Sequence, residues 1–194
     1  MRLPYTIGAF LTAALIAGCG PSGPKFRNTD ITGAGWAREL ALTDHTGKPR
    51  TLADFRGKVV VVFFGYVRCP DVCPTTLVEL KSVVEQLGEE GKRVQVLFVT
   101  VDPERDTREL LMQYVPAFHP DFLGLYGDNE QIARTAKEFK VFYQKVPGSR
   151  PDNYSIDHTA GSYVFDPDGR IRLFVSHRQA GTLAADIRSL LKGG

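Results

Sequence analysis

Two cysteines, Cys69 and Cys73, stand in the stretch Gly65-Tyr66-Val67-Arg68-Cys69-Pro70-Asp71-Val72-Cys73-Pro74. Before them runs KVVVVFF, Lys58 to Phe64, a continuous apolar segment of the kind a parallel sheet buries on both faces. After them Leu77, Leu80, Val84 and Leu87 recur at three- and four-residue spacing. That period predicts a helix over 74–87, with Pro74 in the first turn, where its missing N–H costs nothing. The cysteines therefore sit at a strand-to-helix junction, where unpaired N–H groups and the helix dipole favour a thiolate. Their spacing permits a disulfide. It also leaves three residues between them, one more than a redox Cys-x-x-Cys, and the wider loop can open around an ion. Two merely structural cysteines, bridged or buried, fit this junction and its flanking prolines poorly.

The segment FFGYVRCPDVCPTTLVEL resembles the signature of the Sco/SenC family of copper-binding assembly proteins. The resemblance continues in VTVDPERDT (residues 99–107) and DHTAGSYVFDPDGR (residues 157–170), and covers about residues 36–190. It implies a thioredoxin-like fold and copper, as Cu(I) or Cu(II), held by a ligand set that falls here on Cys69, Cys73 and His158. It also implies a role in building the dinuclear copper centre of cytochrome c oxidase. The expected partners are then the copper-binding subunit of that oxidase and other periplasmic copper carriers or thioredoxin-like reductases.

Two thiolates and an imidazole form a soft donor set, suited to Cu(I) and acceptable to Zn(II). His158 lies far from the cysteines in sequence, so topology must join them. If the strand after His158 runs antiparallel to the cysteine strand, it starts at that strand's C-terminal edge, and His158 faces the loop. His45 reads as a solvated turn residue. His119 lies in an irregular stretch before Pro120, and His177 at the opposite end of the terminal hairpin's second arm; none is assigned to the site. Asp102 follows the apolar run Val94 to Val101, at the edge where open α/β sheets place ligands. With Arg105 and Asp106 it is a candidate supporting residue, orienting the metal loop or facing a partner. A plain capped turn reads equally well for Asp102 and better for Asp106. Asp71 reads as solvent-facing and is no ligand, because a carboxylate beside two thiolates opposes their ionisation.

The elements that must position these residues alternate. Residues 36–43 followed by Asp44-His45-Thr46-Gly47-Lys48 read as a hairpin. Val94 to Val101 is a second buried strand. Thr107 caps a helix to about Tyr114, Phe122 to Tyr126 is a short strand, and Asp128 or Asn129 caps a helix ending near Phe139. Val141 to Val146 is a weak strand, and Pro147 to Asp157 has the composition of a surface loop. Tyr163 to Phe165 and Ile171 to Val175 flank the turn Asp166-Pro167-Asp168-Gly169, and a helix over 182–192 closes the chain. The order predicts an α/β thioredoxin-like mixed sheet with helices on both faces and an N-terminal hairpin.

The 194 residues suit one domain, and 43% hydrophobic with 24% charged residues is a globular balance. A net charge of +2 gives no reason to expect a nucleic-acid partner. Three cysteines are too few for a disulfide scaffold. The N-terminus has Arg2, an apolar run from Tyr5 to Ala17, and then Ile16-Ala17-Gly18-Cys19, which resembles a bacterial lipobox. Residues 1–18 are the expected signal peptide, 19–32 a lipid-anchored flexible tether with the lipid on Cys19, and 33–194 the folded domain. The expected location is the cell membrane, facing the periplasm or extracytoplasmic space.

Three functions compete. A membrane-tethered copper chaperone would pass copper to the oxidase by ligand exchange. A thiol–disulfide reductase would use Cys69 and Cys73 as a redox pair, Cys69 attacking, on the same client's cysteines. A thioredoxin-fold peroxidase is disfavoured, because the position three before the first cysteine is Tyr66 rather than Thr or Ser.

Overall fold

The computed structural model describes residues 25–150 and 153–193. Its strands are β1 (Thr29–Asp30), β2 (Ala41–Asp44), β3 (Pro49–Thr51), β4 (Val59–Gly65), β5 (Val94–Thr100), β6 (Leu123–Tyr126), β7 (Tyr143–Arg150), β8 (Asn153–His158), β9 (Gly161–Phe165) and β10 (Ile171–Ser176). Its helices are α1 (Val72–Leu87), α2 (Arg108–Tyr114), α3 (Asn129–Glu138) and α4 (Leu183–Leu191), with a 3-10 turn at His177–Thr182 leading into α4.

Eight strands form one sheet in the order β1-β10-β9-β4-β5-β6-β2-β3. The two apolar runs, β4 and β5, are buried along their whole length and pair in parallel, Val59 with Val94 through Gly65 with Thr100. Continuous apolar sequence is what a strand covered on both faces requires. Gly65 looks toward Cys73 on α1, whereas its neighbour Phe64 packs on Phe139 just after α3. Helices therefore cover both faces, and the fold is the thioredoxin-like α/β sheet expected from the sequence.

The turn chemistry also follows the sequence. Asp44 Oδ1 accepts from Thr46 N and Lys48 N to close the N-terminal hairpin, with Gly47 at φ +92°. Thr107 and Asp128 cap α2 and α3 through Leu110 N and Gln131 N. Asp166 and Gly169, at φ +69°, make the β9–β10 turn.

Pairing reaches further toward the N-terminus than a flexible 19–32 would allow. Thr29 and Asp30 pair with Phe174 and Leu173, and Asn28 N is tied to Asp186 Oδ2. Cys19 and the lipobox residues lie outside the described residues.

The described residues of 147–157 are strand rather than loop. β7 and β8 form a separate two-stranded ribbon, with Tyr143 opposite His158 and an irregularity after Pro147. The ribbon stands off the main sheet, so β8 hides only alternate residues and β7 is largely exposed. Its polar composition therefore carries no apolar strand signal.

Candidate metal centre

Antiparallel pairing of β9 on β4, with Ser162 opposite Phe63, brings the start of β9 to the C-terminal edge of β4. His158, three residues earlier, ends β8 rather than opening β9. From there its Nε2 lies 3.7 Å from Cys73 Sγ. The donor atoms of Cys69, Cys73 and His158 all fall within 4.8 Å of one another. The imidazole Nδ1 is 3.1 Å from Thr159 O. A carbonyl can only accept, so that contact puts the proton on Nδ1 and leaves the Nε2 lone pair toward the sulfurs.

The two cysteines are free and inequivalent. Cys73 is the second residue of α1 and fully buried, whereas Cys69 is half-buried in the loop. Cys73 N donates to Cys69 Sγ at 3.4 Å. A side-chain hydrogen bond from the Cys73 thiol holds the Cys69 thiol well below the ordinary thiol range, against the opposing effect of burial. The same sharing, together with burial, pushes the Cys73 thiol up. Half-buried Cys69 is thus the more readily ionised thiol, and buried Cys73 would lose its proton to solvent only as its sulfur binds a metal or enters a disulfide.

The turn after β5 grips both halves of this cluster. Asp106 Oδ2 accepts from Val67 N at 3.0 Å, at the root of the cysteine loop, and from the Thr100 hydroxyl at 2.6 Å. Asp102 accepts from Arg105 Nε at 2.5 Å and from the Tyr154 hydroxyl at 2.7 Å. Arg105 Nη1 also donates to Tyr154 O, and its guanidinium lies 3.4 Å from the centre of the Tyr154 ring. Tyr66, just before the loop, accepts from Ile156 N at its hydroxyl.

Asp102 therefore contacts the His158 strand, not the cysteine loop. Asp106 does more than cap a turn. Tyr66 and Tyr154 went unassigned in the sequence; the spacing Tyr154, Ile156, His158 was their one trace, since alternate strand residues share a face.

The other histidines stay out of the cluster. His45 is buried rather than solvated: its Nδ1 accepts from Gly124 N at 3.0 Å, and burial lowers its pKa. A neutral imidazole there completes the β2–β6 edge. His119 stacks on Phe122. His177 lies at the cysteine edge of the sheet, not the opposite one, because Ser176 pairs with Gly161. Its N–H donates to Ala160 O.

Fold and cluster together define a thioredoxin-like domain carrying a two-thiol, one-imidazole centre at its sheet edge. The SCO1/SenC family model matches residues 29–192, and the chain belongs to that family. The solved apo Sco1 of Thermus thermophilus is 43% identical, with a TM-score of 0.77 over 88% of this chain and 99% of that one. Bradyrhizobium japonicum ScoI, solved with copper bound, is 39% identical, with a TM-score of 0.71 over 77% of this chain and 96% of that one. The mitochondrial SCO2 homolog of Bos taurus is 41% identical over 150 residues, 76% of this chain and 56% of the relative. The chain spans about half the length of the mammalian relatives it matches.

Proposed function

We propose that this chain is a membrane-tethered copper carrier that delivers copper to the dinuclear copper centre of cytochrome c oxidase. The observation that carries this reading is the convergence of Cys69 Sγ, Cys73 Sγ and His158 Nε2 at one sheet edge. Soft thiolates with one imidazole suit Cu(I), and copper here is cargo. Copper in the related Bradyrhizobium structure supports the same assignment. Three ligands leave an approach for an incoming thiolate or imidazole. Exchange starts at the accessible donors, Cys69 and His158, and releases buried Cys73 last. A lipid on Cys19, after signal peptide 1–18, would hold the carrier on the extracytoplasmic face beside a membrane-bound client; mass spectrometry of the extracted protein should find a diacylglyceryl group there.

A second reading, a thiol–disulfide reductase, would rest on half-buried Cys69 beside buried Cys73. The Cys69 thiolate would attack a client disulfide, and Cys73 would then resolve the mixed disulfide, leaving the client with two thiols and this pair oxidised. His158→Ala separates the readings, because it removes a metal ligand and keeps both sulfurs. The carrier reading expects at least about ten-fold weaker copper binding and failed oxidase assembly, with near-normal disulfide exchange. Normal assembly with weakened copper binding would favour the reductase.

A further inference from the structure

The cysteine loop and His158 are carried by different units, which meet directly where the Tyr66 hydroxyl accepts from Ile156 N and the Phe63 and Tyr66 rings pack against His158. The loop follows β4 in the main sheet, whereas His158 ends the stand-off ribbon β7–β8. Something must set the spacing between them, since a metal site tolerates only small errors in donor position.

We propose that the turn Asp102–Asp106 is the positioning element of the metal centre, holding the cysteine loop through Asp106 and the His158 strand through Asp102 and Arg105. The proposal rests on the reading of Cys69, Cys73 and His158 as copper ligands. Tyr154, Ile156 and His158 alternate on β8, and they are its three shielded residues. Period-two geometry puts them on one face. Tyr154 is fixed at one end by the Asp102 carboxylate and the Arg105 guanidinium, so the strand delivers His158 to Cys73 from a fixed point four residues away. At the other end, Asp106 takes the Val67 N–H, two residues before Cys69.

The two grips share one rigid base. Asp106 N donates to Asp102 O, and the Thr100 hydroxyl donates to Asp106 while accepting from Asp102 N.

The test uses the full chain and its Tyr154→Phe and Arg105→Lys variants, loaded with Cu(I) under reducing conditions. Tyr154→Phe deletes only the hydroxyl on Asp102; Arg105→Lys deletes the fork that spans Asp102 and Tyr154. Each should bind Cu(I) about ten- to hundred-fold more weakly, the range for groups that orient a ligand. X-ray absorption should show the nitrogen contribution reduced and the two sulfurs retained. Alkylation of Cys69 should keep its wild-type rate, which general loosening of the domain would not allow. If Arg105→Lys does not fold, Tyr154→Phe carries the test alone. Wild-type affinity and a full nitrogen contribution in Tyr154→Phe would overturn the positioning role and leave the ligand reading standing. Absence of the nitrogen in the wild-type protein would overturn the ligand reading, and this proposal with it.

Discussion

Cys73 Sγ and His158 Nε2 stand 3.7 Å apart, although 85 residues separate them in the chain. The pairing of β4 with β9 supplies the coarse approach, and the gripped ribbon supplies the rest. One buried sulfur, one accessible sulfur and one oriented imidazole make a site that is held on one side and open on the other.

The floor of the site is Gly65. A Cβ there would come 2.8 Å from Phe98 Cε2 and 2.9 Å from Cys73 Sγ, so β4 needs glycine for this close approach. Gly65→Ala should displace Cys73, weaken Cu(I) binding and cost about 1–3 kcal/mol of stability, the usual cost of overpacking. Urea unfolding and a Cu(I) competition titration check both; wild-type values in the two would show that the sulfur is free to move.

Burial pushes the Asp106 carboxyl up to about 6, against the hydrogen bonds from Thr100 and Val67. The unfolded chain titrates this group near 3.8, so between that pH and about 6 the folded state binds more protons. Rising pH therefore removes stability across this window, and the loss is complete above it. The stability of the wild type relative to Asp106→Asn should fall by roughly 2–3 kcal/mol from pH 4 to 6. Urea midpoints of the two proteins measured against pH give this difference directly. A difference that rises or stays flat would contradict the burial account.

The Cys69 thiol is held low by the hydrogen bond from the Cys73 thiol, while Cys73 is held high. Iodoacetamide at pH 6, where an ordinary thiol is protonated, should modify Cys69 and spare Cys73. Peptide mass spectrometry reads the site. Modification of Cys73 first would reverse the assigned roles.

Much of this was legible in the sequence. Continuous apolar runs gave β4 and β5, and the Asp166–Gly169 turn and the caps at Thr107 and Asp128 stood at their natural signals. Cys69 and Cys73 were marked by their junction. His158 needed topology and the family resemblance, since a histidine beside a strand has no signature of its own. The start of the ribbon was legible as the weak strand 141–146, but β8 was hidden because strands exposed to water lack clear apolar alternation, and its clue was Tyr154, Ile156 and His158. Asp106 was legible as a candidate but read better as a turn cap, because its bond to Val67 spans 39 residues and a side-chain contact at that range leaves no periodic trace. His45 reads polar in a turn, and only the β2–β6 pairing shows why it is buried.

The most direct measurement is X-ray absorption at the copper edge on the reduced, Cu(I)-loaded full chain, alongside His158→Ala and the Cys69→Ser, Cys73→Ser double variant. The expected wild-type result is two sulfurs and one nitrogen. The nitrogen should vanish in His158→Ala, and copper should be lost from the double variant and from the oxidised disulfide form. Full copper retention by the double variant, or an unchanged nitrogen in His158→Ala, would contradict the assignment of Cys69, Cys73 and His158 as the copper centre.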